Sequence, residues 1–101
     1  MKPSEILDKA ARKIEPEGRW TRQYSARDKD GREVAPNDAA ATCWCIYGAI
    51  MKVSRRRKVR GDLFRFLPTY ASVWNDAPER TQAEVVAKLR EAAALARAEG
   101  Q

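Results

Sequence analysis

The sequence predicts an α+β fold in one small domain that spans residues 1–101. Two patterns lead to this prediction. Apolar residues recur at helical spacing near both ends of the chain and in its middle, whereas residues 20–26 alternate as strands do. The predicted order is an N-terminal helix, a β-hairpin, a buried central helix, a short helix and a long C-terminal helix. A length of about 100 residues is typical of a single domain.

The first helix is predicted over residues 3–15. Ser4 can accept the hydrogen bonds that cap a first turn, and Pro16 with Gly18 ends the helix. Its apolar side consists of Ile6, Leu7, Ala10, Ala11 and Ile14. This spacing indicates a helix that covers the core on one side.

A β-hairpin is predicted over residues 19–35. One side of its first strand carries Trp20, Arg22, Tyr24 and Ala26, and the other carries Thr21, Gln23, Ser25 and Arg27. The run Asp28-Lys29-Asp30-Gly31 is typical of a tight turn, because Gly31 can adopt positive φ. Residues 32–34 are then expected to form a short returning strand.

The longest uncharged run, residues 39–51, is predicted to lie in a buried helix over residues 39–54. Helical spacing relates Cys43, Ile46, Tyr47, Ile50 and Val53. Asn37 or Asp38 is expected to cap this helix.

Gly48 would lie inside that helix, where it costs about 1 kcal/mol relative to Ala. We therefore expect Gly48 to permit a close approach of Trp20, of Trp74 or of the last helix.

Beyond Ser54 the apolar pattern stops, and residues 54–60 are predicted to form a polar connection. A short helix follows, which Asp62 caps and Pro68 interrupts. Residues 75–78 are predicted to form a loop.

The clearest helix is predicted over residues 82–99. Thr81 and Glu84 have the spacing of a capping box, and Gly100 is typical of a helix end. Glu84 and Lys88 are expected to pair across a helical turn. The inner side of this helix consists of Val85, Val86, Leu89, Ala92, Ala93 and Ala96.

Histidine is absent, which removes the usual proton shuttle and the common Cys-His and Ser-His pairs. Cys43 and Cys45 on a helix would point about 200° apart and would not bond to each other. They are either a redox or metal element or, more simply, core thiols. Two cysteines fall short of a zinc site, so no metal or cofactor is expected.

The cellular location is predicted from the same features. Unpaired thiols indicate a reducing cytoplasm, and the charged residues 1–14 do not resemble a signal peptide. The uncharged run is too short and too rich in Ala to span a membrane, so no membrane partner is expected.

Positive charge is concentrated in residues 52–65, which we call the basic segment. It carries seven cations against Asp62 alone, and this excess equals the net charge of +6 of the whole chain. The seven are Lys52, Arg55, Arg56, Arg57, Lys58, Arg60 and Arg65. Such a segment can bind phosphates or an acidic protein surface. The alternative is a solvated stretch that keeps the protein in solution.

The run Trp74-Asn75-Asp76 allows two interpretations. Asn75 and Asp76 can bond backbone N–H groups and hold the loop before Thr81, with Trp74 anchored in the core. Alternatively, Asp76 is an acid or base near Arg80. A general base needs a raised pKa near neutrality, and a nearby guanidinium would lower that pKa instead.

Three runs of the chain resemble a family of small bacterial and phage proteins of unknown function. The runs are Trp20-Thr21 with Tyr24, Ala26-Arg27-Asp28 and Gly31; Ala41-Thr42-Cys43-Trp44-Cys45 with Gly48-Ala49; and Trp74 to Thr81 with Glu84-Val85. In this order and spacing the three runs extend over most of the chain. The resemblance implies a shared fold, and it implies no activity, cofactor or catalytic residue.

The sequence is compatible with three functions. The first is a non-enzymatic binding module, such as an accessory or inhibitor protein of a phage or prophage, which uses the basic segment against an acidic partner. The second is a nucleic-acid-binding protein, and the third is an enzyme that uses Asp76. The sequence does not indicate the oligomeric state.

Overall fold

Two helices from the ends of the chain pack side by side in a computed structural model that describes residues 1–101. Helix α1 (Pro3–Ile14) runs antiparallel to helix α5 (Gln82–Ala98). At one end Gln82 Nε2 donates to the carbonyl of Ile14 at 2.6 Å, and at the other Arg97 donates to Asp8 at 2.6 Å. The predicted inner sides of both helices lie in the core, except that Val86 is only partly buried.

The ends of α5 follow the prediction, and the start of α1 does not. Thr81 Oγ1 accepts from Glu84 N at 3.2 Å, and Thr81 N donates to Glu84 Oε1 at 3.0 Å, which is the predicted capping box. Gly100 takes a φ of +76° beyond the helix end. In α1, however, Ser4 is buried within the helix, and Pro3 takes the first turn, where no N–H donor is needed.

The predicted ion pair between Glu84 and Lys88 is replaced by two others. Glu84 pairs with Arg80 at 3.2 Å, and Lys88 pairs with Glu91 at 3.2 Å. Glu84 lies four residues from both Arg80 and Lys88, and Lys88 lies three or four residues from both Glu84 and Glu91. The spacing alone therefore does not decide which pairs form.

A two-stranded antiparallel sheet is formed by β1 (Ala26–Arg27) and β2 (Cys43–Trp44). The predicted turn is present, because Gly31 has a φ of +81° and its N–H donates to the carbonyl of Asp28 at 3.0 Å. The predicted returning strand contributes a single bridge between Arg27 and Glu33. The main partner of β1 instead comes from later in the chain.

The predicted first strand is also shorter than expected. Residues 22–25 form bends, and Gln23 has a φ of +74°, which interrupts extended pairing. Trp20 forms a parallel bridge with Trp44. The alternating side chains of residues 20–26 therefore lie around a curved loop and not along one strand.

Helix α2 (Ile46–Val53) is the central helix, and it begins later than the predicted residue 39. The backbone of Cys43 and Trp44 pairs with β1 and cannot be helical. Cys45 is extended and its Sγ accepts from Gly48 N at 3.3 Å, so Cys45 takes the capping role predicted for Asn37 or Asp38. Asp38 accepts from Ala40 N at 2.8 Å in a turn instead.

Gly48 permits a close approach, as predicted, but the approaching group is different. A Cβ on Gly48 would lie 1.8 Å from the carbonyl oxygen of Ser25. The loop that precedes β1 therefore rests directly on α2, in place of Trp20, Trp74 or the last helix.

The predicted polar connection is partly helical. Helix α3 (Arg57–Leu63) begins within residues 54–60, because Val59 and Leu63 share one side of it and face the core. Asp62 therefore lies inside α3 and does not cap it. A 3₁₀ turn (Phe64–Phe66) follows, and Leu67 is extended before Pro68.

Helix α4 (Ala71–Asp76) completes the chain before α5, and it includes Asn75 and Asp76, which were predicted to lie in a loop. The element order confirms the α+β fold class. None of the helices combines the length and the hydrophobicity that crossing a bilayer requires.

Candidate functional site

Asn75 is completely buried and uses both ends of its side-chain amide. Its Oδ1 accepts from Trp20 Nε1 at 2.8 Å and from Ile46 N at 3.0 Å. Its Nδ2 donates to the carbonyl of Thr21 at 3.1 Å and to Asp76 Oδ1 at 3.1 Å. Both amide protons and both lone pairs are engaged. Asn75 thus joins the loop before β1 to the first residue of α2, and we call these five residues the Asn75 cluster.

Asp76 holds a strained part of the same loop. Its Oδ1 accepts from Gln23 N at 2.8 Å, and Gln23 is one of two non-glycine residues with positive φ. A backbone in this region persists only where its surroundings fix it. These contacts favour the structural interpretation of Asn75 and Asp76 over the catalytic one.

The arginines near this cluster are also used by the fold. Arg80 Nε donates to the carbonyl of Trp74 at 2.9 Å, and its guanidinium lies 4.0 Å from the centre of the Trp74 indole. Arg22 donates to the carbonyl oxygens of Pro78 and Arg80. Arg80 forms its ion pair with Glu84 and none with Asp76. The sequence had placed Asp76 and Arg80 together as a hypothetical catalytic pair, and the structure does not.

The two cysteines are free thiols in different surroundings. Burial raises the pKa of the Cys45 thiol, although N–H groups of Gly48 and Tyr47 act in the opposite direction. Cys45 therefore stays protonated near neutral pH and is a weak nucleophile. Cys43 is half-buried, and its Sγ lies 3.9 Å from the carbonyl oxygen of Arg27. Nowhere do three His, Cys, Asp or Glu side chains lie together as metal ligands would.

The cations of the basic segment fall into two groups. Arg65 pairs with Glu99 at 2.9 Å and covers the ring of Phe66, and Arg60 donates to the carbonyl of Ser54 at 3.3 Å. Four others are exposed and take part in none of the ion pairs of the molecule: Arg55, Arg56, Arg57 and Lys58. We call these four the exposed cations. Lys52 is half-buried at the end of α2.

Two of the exposed cations stand where a helix disfavours positive charge. Arg57 and Lys58 occupy the first turn of α3, which contains no acidic residue. The partial positive charge of a helix N-terminus disfavours a cation there by about 0.3–1 kcal/mol. The fold therefore gains nothing from these charges, in contrast with Arg65, Arg80 and Arg22.

Sequence reasoning missed an extension of this basic surface. Lys9, Arg12 and Lys13 on α1 lie beside Lys52 around a shallow depression of about 390 Å³. These residues are about forty positions from Lys52 in the sequence, and nothing local shows that this side of α1 adjoins the end of α2. Basic residues outside the segment therefore contribute to the same face.

A model described as "Family of unknown function (DUF6197)" matches residues 1–95, nearly the whole chain, and the protein belongs to this family. No curated protein and no solved structure matches it. The membership confirms the predicted resemblance to a family of unknown function.

Proposed function

We propose that this member of a family of unknown function is a small, non-enzymatic binding module that contacts an acidic partner through the basic segment. The observation that carries the proposal is the state of the exposed cations. Arg55, Arg56, Arg57 and Lys58 are solvated, lack ion pairs, and in part oppose the dipole of α3. Charges that cost the fold something are expected to serve an interaction.

The surrounding electrostatics support the same proposal. Elsewhere on the molecule arginines do have acidic partners, as with Arg90 and Arg97 on either side of Asp8, whereas the exposed cations have none. Lys9 and Arg12 enlarge the positive face next to Lys52. An acidic partner would be attracted to this face and oriented by it before contact.

An accessory or inhibitor protein of a phage or prophage, acting in the cytoplasm, is the biological role we propose for such a module. Nucleic acid is the second candidate partner, because the breadth of the positive face suits a phosphate backbone. The contacts of Asp76 give no support to the enzyme alternative.

The test is affinity purification from host lysate, with and without nuclease, of three proteins. These are the wild type, the variant R55A/R57A, and a matched control, K29A/R32A, which removes the same charge from the exposed turn after β1. We expect a stoichiometric partner that the wild type and the control retain and that R55A/R57A loses by about tenfold.

Two outcomes decide between the candidate partners and the proposal. Loss of the partner after nuclease treatment would indicate nucleic acid. In that case the slope of log affinity against log salt concentration should become shallower by about 0.9 for each phosphate contact that a variant removes. Equal retention by R55A/R57A and the wild type would refute the role of the basic segment.

A further inference from the structure

An apolar groove lies next to the basic segment. It has a volume of about 420 Å³ and lies between α2, the 3₁₀ turn and the start of α4. Tyr47 and Phe64 stack in its floor, with ring centres 5.5 Å apart and planes inclined by 20°. Pro68 and Ala71 add aliphatic surface, and Tyr70 and Val73 lie at its edge.

The edge of the groove is unusually exposed for apolar side chains. Tyr70 is 79% exposed and Val73 is 71% exposed, the two highest values among the large apolar residues of the chain. Exposed apolar residues that lie together around one groove are typical of an interaction site. Tyr70 also has a φ of +55°, a conformation that is costly for an aromatic residue. The backbone thus carries strain while the ring points away from the core.

The groove and the basic segment share Phe64. This residue lines the groove and directly follows α3, and helical spacing aligns it with Arg60 and Arg57. An extended or helical ligand that fills the groove would therefore pass along the cationic side of α3. A ligand that matches this surface therefore has apolar side chains for the groove and negatively charged side chains for α3.

Building on the binding module proposed above, we propose that the groove holds the apolar side chains of an acidic amphipathic helix from a protein partner. Such a helix presents apolar anchors at i, i+3, i+4 and i+7, and its carboxylates would face Arg57 and Arg60. Two other occupants fit less well. For a nucleic acid, Tyr70 is the one exposed aromatic ring of the groove, because Phe64 and Tyr47 stack on each other, whereas a single strand stacks successive bases on several rings. A second copy would bring together two chains of charge +6.

The experiment uses a displayed library of random peptides of about 16 residues, long enough for about four helical turns. Peptides are selected on the wild-type protein, and their affinities are then measured by fluorescence anisotropy. The variant Y70G/V73S removes the groove edge, and glycine at position 70 relieves the positive φ, so this variant should melt no lower than the wild type. The matched control L95S changes an exposed apolar residue on α5, outside the groove.

We expect selected peptides that combine Asp and Glu with apolar residues at helical spacing. Their dissociation constants should rise by about tenfold or more in Y70G/V73S and in R55A/R57A, and should be unchanged in L95S. Peptides that are acidic without an apolar pattern, and that are lost only in R55A/R57A, would refute the groove and leave the proposed function standing. Peptides that are apolar and indifferent to R55A/R57A would refute the basic segment as the contact surface and, with it, the acidic ligand.

Labelled duplex DNA and single-stranded RNA are measured in parallel, from about 50 mM to about 500 mM salt. If no peptide is selected while a nucleic acid binds and is lost in R55A/R57A, the partner is a nucleic acid and the groove proposal fails. If neither peptide nor nucleic acid binds, the groove proposal fails, and the lysate purification with R55A/R57A alone decides the proposed function.

Discussion

Polar side chains are engaged by the fold in the Asn75 cluster and left exposed on helix α3. In the cluster, the Asn75 amide and an Asp76 oxygen engage groups from two separate parts of the chain, residues 20–23 and Ile46. On α3, Arg57 and Lys58 are exposed and have no ion-pair partner. Asn75 and Asp76, for which the sequence allowed a catalytic or a structural role, thus hold the fold, whereas Arg57 and Lys58 make no ion pair within it.

The two helical glycines give the largest contrast. Gly48→Ala should destabilise the protein by more than about 3 kcal/mol, above the usual range for overpacking, because the added Cβ meets a backbone carbonyl of the loop held by Asp76. Gly61→Ala on α3 meets nothing within 4 Å and should stabilise by about 0.8–1 kcal/mol. Urea denaturation of both variants measures the difference, and equal stabilities would show that the loop does not rest on α2.

Removing the Asn75 side chain should have the next largest effect. Asn75→Ala leaves the indole N–H of Trp20, the N–H of Ile46 and the carbonyl of Thr21 without their partner. Buried groups left unpaired cost about 1–3 kcal/mol each, and relaxation should limit the total to about 2–4 kcal/mol. Asp76→Asn is the control, since an amide oxygen can still accept from Gln23 N. A melting temperature of Asn75→Ala that matches the control would contradict the proposed role of Asn75.

The capping box of α5 should contribute less and depend on pH. Thr81→Ala removes the oxygen that accepts from Glu84 N and should cost about 0.5–2 kcal/mol.

Hydrogen bonds from the backbone and hydroxyl of Thr81 lower the pKa of Glu84, with a smaller contribution from Arg80. A lowered pKa in the folded state gives stability that is present above the unfolded pKa of about 4.3 and is lost as the pH falls through the folded pKa. Glu84→Gln should therefore melt below the wild type near neutral pH and match it in strong acid. A difference that persists at low pH would assign the effect to packing.

Charge reversal on α3 should change stability about as little as loss of the capping box, and in the favourable direction. Arg57→Glu with Lys58→Glu places acidic residues in the first turn, where each is worth about 0.3–1 kcal/mol. Binding to an acidic ligand should nevertheless be abolished, because the attraction becomes repulsion. Thermal melting and peptide anisotropy on the same samples measure both effects. A destabilised variant would show that these cations serve the fold.

Much of the fold was predictable because its signals are local. The spacing of apolar residues in α1 and α5, the Thr81–Glu84 capping box and the turn at Gly31 all depend on residues a few positions apart. Helix propensity, capping and turn conformation act over such distances, so the sequence alone determined the α+β class and the end helices. The concentration of positive charge in residues 52–65 likewise follows from the sequence alone.

Tertiary contacts decided the rest. The run before Ile46 has helical spacing, yet Cys43 and Trp44 pair with β1 because that strand's open edge needs hydrogen-bond partners. Likewise, Asn75 became structural only because Trp20, Thr21 and Ile46 surround it. The apolar groove and the approach of Lys9 to Lys52 also join residues far apart in the chain. Burial and pairing between distant residues override local preference, since a buried polar group left unpaired costs more than a propensity gains.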